Sequence, residues 1–342
     1  MEQKSVLSYI ESVLKNMPEE WLKLTTHRLD IYNEDLAKTQ FLERFESLFE
    51  ANSAETPALR DIPTAYDYIR LGHPLSSVLE WAIAKLHNIQ ADQVISFSSR
   101  TAPILAVLRK NLFGKKKTRI LYTGKLPHHF DPDVVKRVYG YQFELEQVVN
   151  AQDVSPFDGS TLFISTQDEL GAFDLHPNVD FFVGIHTELG SILLVNGDEN
   201  RSYISEIQHV RRRETIAMTP ADCFTALQLL VGQSVREVSQ TNPEKNKTSV
   251  LETISTITDT DTPALLASSG LSMQYAIMMG LIDDALENHP GKAIKFIVPP
   301  NCYGGTNDQA RRVAACVDNV EIVDLPVDGD NNMVQSIERI LD

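Results

Sequence analysis

HPLSSVLEWAIAKLHNIQADQVISFSSRTAPILAVL, running from His73 to Leu108, is the stretch whose reading decides the fold. A helical pattern opened by Pro74 gives way to a short apolar strand, then to Ser98-Ser99 and a second helix. Outward from it the same alternation continues. Arg119–Tyr122 (RILY), Thr161–Ser165 (TLFIS), Asp180–Ile185 (DFFVGI), Ser191–Val195 (SILLV), Lys295–Val298 (KFIV) and Glu321–Leu325 (EIVDL) read as strands. Longer mixed segments separate several of them, with helices expected over Pro74–Leu86 and Met273–Glu287. Short apolar strands alternating with helices predict an α/β fold with a mostly parallel sheet covered on both faces.

The stretch has a counterpart. Residues 242–281 read NPEKNKTSVLETISTITDTDTPALLASSGLSMQYAIMMGL, again a Pro, then Val-Leu-Glu, then an apolar run, Ser-Ser and a helix. Val78-Leu79-Glu80 matches Val250-Leu251-Glu252, and Ser98-Ser99 matches Ser268-Ser269, at offsets of about 170 residues. Further on, Gln142–Leu145 faces Val320–Val323 as the next strand of each copy. The order predicts an internal duplication. Three parts are expected: an N-terminal helical arm and linker over 1–63, a first copy over 64–240 and a second from 241 to 342.

Composition is that of a globular chain: 342 residues, 42% hydrophobic, 23% charged, net charge -16. The acidic balance argues against nucleic acid and anionic membranes as partners, since both reward clustered Lys and Arg. No stretch approaches the ~20 apolar residues of a membrane span. Glu2, Lys4 and Glu11 fall where a signal peptide needs an apolar core. Cys223, Cys302 and Cys316 are too few and scattered for a disulfide framework or zinc site. A cytoplasmic location is expected. In the arm, Val6, Ile10, Val13 and Leu14 recur at helical spacing, Pro18 can open a second helix, and Leu36, Phe41, Leu42, Phe45, Leu48 and Phe49 form a third stripe. Residues 51–63 (ANSAETPALRDIP) read as a linker.

Three pieces carry chemistry. Ser268-Ser269-Gly270-Leu271-Ser272 lies between the apolar run Ala264–Ala267 and a helix. A strand–turn–helix of this kind offers unpaired N–H groups and the positive end of a helix dipole to a phosphate, though small residues there also serve tight turns. Asn301-Cys302-Tyr303-Gly304-Gly305-Thr306 follows a strand, where open α/β sheets bind ligands. Tyr303 is either a stacking ring or an ordinary turn residue. Tyr68-Ile69-Arg70, ahead of Gly72-His73-Pro74, offers a guanidinium suited to phosphate or carboxylate, or else a solvated surface Arg.

Together these pieces resemble the Cys/Met-metabolism family of pyridoxal-phosphate enzymes, the cystathionine synthases and lyases and methionine γ-lyase. The family's Tyr-x-Arg-x-x-Asn-Pro stretch appears as Tyr68-Ile69-Arg70-Leu71-Gly72-His73-Pro74, with His for Asn. Its Ser-Gly-Met turn appears as Ser269-Gly270-Leu271, with Leu for Met, and its Tyr-Gly-Gly-Thr loop is Tyr303–Thr306 unchanged. The resemblance covers most of residues 64–342. It implies the aspartate-aminotransferase-like large domain of pyridoxal-phosphate-dependent transferases, duplicated, with the second copy incomplete. It also implies pyridoxal 5'-phosphate as cofactor, bound through its phosphate by Ser269, Gly270 and Leu271, with Tyr303 stacked on the ring. Tyr68 and Arg70 would reach the phosphate across a subunit boundary. The implied reaction is β- or γ-elimination or replacement on a small sulfur amino acid. The implied assembly is a homodimer or tetramer, with the two copies packed as a pseudo-dimer.

The motifs are divided between the copies. The first has Tyr68 and Arg70, but Arg100 stands where the second has Gly270, and its loop Gly124–His129 lacks a Tyr. The second has the turn and the Tyr loop, but reads Glu237-Val238-Ser239 ahead of Asn242-Pro243. This chemistry needs a lysine to hold the cofactor covalently. The first copy's corresponding stretch, VGIHTELGSILLV, has Glu188 after Thr187 and no Lys, although Met218–Leu230 resembles the helix that follows the lysine in the family. The second copy ends before such a strand, and Lys292 and Lys295 come too early. No catalytic residue is assigned, and the lysine and small domain are expected beyond Asp342 or on another chain. The rival expectation is a pseudoenzyme scaffold that binds a partner, and a third is an unrelated sugar- or nucleotide-binding α/β protein. Asp168 and Asp174 read as loop carboxylates, His128-His129 with Asp131 and Asp133 as a polar loop rather than a metal site, and Lys115–Lys117 as a solvated connection. Arg211-Arg212-Arg213 reads as a helix surface or subunit contact, and Cys302 as a nucleophile without a visible His.

Overall fold

In the computed structural model the described residues are 2–23, 34–63, 68–234, 243–327, 329 and 332–341. Two helices, α1 (Glu2–Asn16) and α2 (Glu34–Glu50), form the arm, and α3 (Thr56–Arg60) joins it to the body. The first part of the body runs α4 (Pro74–His87), β1 (Val94–Phe97), α5 (Ala102–Phe113), β2 (Thr118–Tyr122), α6 (Pro132–Val138) and β3 (Glu144–Gln147). It continues through β4 (Ser160–Thr166), β5 (Phe181–His186), β6 (Gly190–Val195), α7 (Ile204–Glu214) and α8 (Pro220–Leu230). The remainder runs α9 (Pro243–Thr258), α10 (Gly270–Asn288), β7 (Ile294–Val298), α11 (Gly304–Ala314), β8 (Val320–Asp324) and α12 (Met333–Leu341).

The fold is mixed α/β with a mostly parallel central sheet. Six strands lie in the order β1-β6-β5-β4-β2-β3, and only β6 runs against its neighbours. Its central strands are buried along most of their length, which explains why they read as continuous apolar runs. A second, two-stranded sheet pairs β7 and β8 in parallel, Ile294 opposite Val320.

Helix α4 shows why this sequence turns where it does. The His73 ring accepts the Ser76 N–H at 3.2 Å, Ser76 Oγ accepts the His73 N–H at 2.9 Å, and Pro74 follows the cap. This reciprocal arrangement satisfies donors that a helix start leaves unpaired. Asn88, at φ 54°, ends the helix in the left-handed region. Leu75, Val78, Leu79 and Ile83 are buried, and Trp81 meets the Phe45 ring of α2 edge-on at 5.0 Å. The arm is therefore part of the core, with Val6, Ile10 and Val13 of α1 buried in the same cluster.

Five sequence expectations need correction. Residues 51–63 are not a bare linker: α3 forms there and buries Leu59. Pro18 caps only the short 3-10 turn Glu19–Leu22, not an α-helix. The first copy's strand expected at Gln142–Leu145 pairs over Glu144–Gln147 instead. The apolar run Ala264–Ala267 is no strand. The strand β1, in the stretch that its sequence matches, is held by β6, and among the described residues no strand lies beside 264–267, so Leu265 stays 77% exposed. Arg211 is not on a helix surface. It is buried, and pairs with the buried Glu80 at 2.8 Å. The Glu237–Ser239 stretch and Asn242 lie outside the described residues, as does the side chain of Leu36.

The last third is thinly covered. Val250 and Ile257 of α9, Ile277 and Leu281 of α10, and Met333, Val334 and Leu341 of α12 are exposed apolar side chains. By contrast α4 is buried along its length beneath α1, α2 and α8.

Candidate functional site

A pocket of about 370 Å³, within the usual range for small ligands, is lined by Tyr68, Ile69, Arg70, Ser268, Ser269, Gly270, Leu271 and Tyr303. All six cofactor residues inferred from sequence, Tyr68, Arg70, Ser269, Gly270, Leu271 and Tyr303, thus meet within one chain. Among the described residues no lysine or carboxylate lines the pocket.

Three segments build the pocket. The first is a tight turn ahead of α4, where Tyr68 O accepts the N–H groups of Leu71 (2.7 Å) and Gly72 (3.0 Å). Gly72, at φ 142°, adopts a conformation open to glycine but strained for other residues. Arg70 sits at this turn. Its guanidinium donates to the Tyr68 hydroxyl, to the Tyr303 hydroxyl at 3.3 Å and to the Arg212 carbonyl at 3.3 Å.

The second segment is the start of α10. Ser269 caps it, its Oγ accepting the Ser272 N–H at 3.1 Å while Ser272 Oγ accepts the Ser269 N–H at 2.8 Å. The N–H groups of Gly270 and Leu271, at the first two helical positions, have no intrahelical acceptor and stand at the positive end of the helix dipole. A Cβ built on Gly270 meets nothing within 4 Å, so the backbone here is open to close approach.

The third segment is Tyr303–Thr306, which starts α11. Tyr303 O accepts the Thr306 and Asn307 N–H groups, and Thr306 Oγ1 donates to Gln274 Oε1 of α10 at 2.8 Å. The Tyr303 ring is 61% exposed at the pocket. The Arg70 hydrogen bond foremost, then the charges of Arg70, Arg213 and Arg212, hold its hydroxyl below the usual tyrosine value against the opposing effect of burial.

Behind these segments lie residues whose role the sequence did not show. The arginine run 211–213 was visible, but its contacts were not. Arg211 donates to Glu80, to Ser96 O at 3.1 Å and to Leu71 O, which anchors the turn carrying Arg70. Gln309, buried in α11, donates from Nε2 to Leu271 O and Arg213 O, both at 3.0 Å. It ties the start of α10 to the end of α7. No signal in the sequence marks it.

The other candidates lie elsewhere. Asp168, Asp174 and Glu188 are exposed, and Lys292 and Lys295 are exposed near β7. The His128 and His129 rings meet edge-on 4.5 Å apart, while Asp131 caps α6. Among the described residues no three His, Cys, Asp or Glu side chains gather to hold a metal ion, and no helix is long and apolar enough to cross a membrane. Chemically, the described part of the pocket offers guanidinium, hydroxyl and free N–H donors. It suits a small anionic group beside an aromatic ring.

Fold and pocket together define a mixed α/β protein with an anion-suited pocket assembled from distant parts of the chain. No known family profile and no curated protein sequence matches the chain. Among solved structures, cystathionine gamma-lyase from yeast is similar, at 13% identity and a TM-score of 0.40, over 72% of this chain and 68% of that one. So is a putative O-acetylhomoserine (thiol)-lyase from Campylobacter jejuni, bearing a pyridoxyl-lysine monophosphate (14% identity, TM-score 0.34, 75% of this chain and 76% of that one). The metB protein of Corynebacterium glutamicum gives 14% identity and a TM-score of 0.35, over 68% of this chain and 70% of that one.

Proposed function

We propose that the pocket binds the phosphate of pyridoxal 5'-phosphate, and that the chain is part of an enzyme of sulfur amino-acid metabolism of the cystathionine synthase and lyase kind. The observation that carries this reading is the meeting of Tyr68 and Arg70 with Ser269–Leu271 and Tyr303 in one pocket. The residues fit the phosphate. Gly270 and Leu271 N–H groups, the Ser269 hydroxyl and Arg70 can surround an anion, and the exposed Tyr303 ring can cover a flat aromatic. When bound, the cofactor supplies an electron sink for a carbanion at the amino acid's α-carbon.

The reading extends to a duplicated body. The order helix–strand–helix–strand–helix–strand from α4 to β3 recurs from α9 to β8, with an unpaired segment in place of β1. The parallel pairs β2–β3 and β7–β8 occupy corresponding places. Within such a pseudo-dimer the first copy lends Tyr68 and Arg70 to the second. The exposed apolar residues of α9, α10 and α12 support further chain, or a partner, covering the second copy. The lysine and the small amino-acid substrate's own binding groups would come from there.

Among the described residues no lysine lines the pocket, and a second reading is a pseudoenzyme that binds the cofactor without turnover. Titration with pyridoxal phosphate and with unphosphorylated pyridoxal tests the shared claim. The phosphate compound should bind tighter, and Arg70→Ala should weaken it by about tenfold to a hundredfold, the range of a charge-assisted hydrogen bond. Equal affinity for the two compounds, or no change in Arg70→Ala, rejects the pocket as a phosphate site. In the protein that cells make, an adduct trapped by borohydride supports the enzyme, and tight binding without one supports the pseudoenzyme.

A further inference from the structure

A Cβ placed on Gly305 would lie 2.6 Å from Tyr303 Cε1, 3.0 Å from Leu271 Cδ1 and 3.1 Å from Arg213 Nη1. The Arg213 guanidinium therefore approaches the same point as the Tyr303 ring and Leu271, two walls of the pocket, without itself being among the lining residues. Arg213 Nε pairs with Asp308 at 3.1 Å, and the same Asp308 oxygen takes His209 at 2.9 Å. No hydrogen bond from either terminal nitrogen of Arg213 is seen among the described residues. Its carbonyl and that of Leu271 share the buried Gln309 amide, which fixes the Arg213 backbone relative to the helix start.

We propose that Arg213 is a specificity-determining residue of the pocket: a fixed cation behind Tyr303 that makes the site select a doubly charged phosphate monoester over an uncharged analogue. The inference rests on the phosphate reading above and adds to it a residue from outside the three motif segments.

Arg213 is largely shielded from water, so its field on the pocket is screened less than that of a surface arginine. Asp308 offsets part of that charge, but it lies on the Nε side and shares its oxygen with His209. Among the described residues the charges that lower the Tyr303 hydroxyl are Arg70 from the turn before α4 and Arg213 and Arg212 from α7, behind the Arg70 hydrogen bond as the largest cause, while Asp308 and His209 lie against Arg213.

The test uses the whole chain. Phenolate absorbance, taken as the difference from Tyr303→Phe, gives the Tyr303 titration, and pyridoxal phosphate and pyridoxal affinities are measured alongside. Arg213→Met should move the Tyr303 titration upward, weaken pyridoxal phosphate by about tenfold and leave pyridoxal unchanged. Arg213→Lys should restore most of both effects. Arg213→Gln serves if the Met variant does not fold. An unmoved Tyr303 titration, or equal losses for the two ligands, overturns the assignment. If the unaltered chain binds no phosphate compound, the cofactor reading fails and this inference falls with it. If it binds and Arg213→Met changes nothing, only the inference falls.

Discussion

Removing the Glu80 carboxylate should cost more stability than any exposed ion pair could supply. Glu80 is buried in α4 between Lys38 of α2 and Arg211 of α7, and also accepts the Ser96 N–H at 2.9 Å and the Ser96 hydroxyl at 2.8 Å. Burial alone would raise its pKa. The charges of Lys38 and Arg211, with the hydrogen bonds, overcome that and move it from 4.5 to about 2. At about 1.4 kcal/mol per pH unit this corresponds to ~3 kcal/mol favouring the ionised form in the folded state. The folded-state value is depressed, so the contribution is present above the unfolded value of 4.5 and is lost as pH falls through about 2. Glu80→Ala also leaves two cations buried without their partner, which raises the expected loss to about 3–5 kcal/mol. Urea unfolding at neutral pH measures it. Replacing all three residues together (Lys38→Met, Glu80→Leu, Arg211→Met) should cost less than Glu80→Ala, because no charge is then stranded. A loss under about 1 kcal/mol in Glu80→Ala would refute the account of the triad as a coupled buried network. Glu80→Gln, which preserves shape, supplies the same comparison if the alanine variant does not fold.

Two substitutions probe the pocket separately. A Cβ at Gly270 meets no neighbour within 4 Å and breaks no positive-φ requirement, so Gly270→Leu should hardly change the melting temperature, while pyridoxal phosphate binding, followed by fluorescence, should be lost as the side chain fills the approach to the N–H groups. Gly305→Ala should push the Tyr303 ring aside, since its Cβ would sit 2.6 Å from that ring. Calorimetric titration should then show weaker binding of pyridoxal phosphate.

What the sequence revealed and what it hid divide along locality. The start of α10 was legible because a Ser-Ser-Gly turn with Ser three residues on is a local capping pattern; the helix begins at Gly270, three residues ahead of the expected Met273, because Ser269 caps it. Strands β4, β5 and β6 were legible because both faces are buried and each reads as an unbroken apolar run. The run Ala264–Ala267 has the same composition, yet strand formation depends on a neighbour that the described residues do not offer. Arg211 misled for the opposite reason. Three adjacent arginines in an acidic chain read as a solvated face, but the partner that buries Arg211, Glu80, lies 131 residues away. Gln309 carries no composition signal at all, and its bridge exists only once α7, α10 and α11 have come together.

The arginine run also bears on how the Tyr68–Arg70 turn is held in place. Within α7, Arg211 faces the core and holds Leu71 O, Arg212 presents its carbonyl to Arg70, and Arg213 reaches behind Tyr303. Arg211 and Arg213 act through side chains two positions apart, which point in different directions on a helix, while Arg212 acts through its backbone carbonyl. One turn of α7 thus spans the buried Glu80 network, the Arg70 turn and the Tyr303 loop. Loss of the Glu80 anchor should reach the pocket through this turn, by freeing Leu71 and with it Arg70. Constraint on Arg70 would then persist as long as the pocket is used, whether or not the surrounding copy retains chemistry of its own. A leftover motif predicts otherwise: the Glu80→Gln variant would bind pyridoxal phosphate as tightly as the unaltered chain.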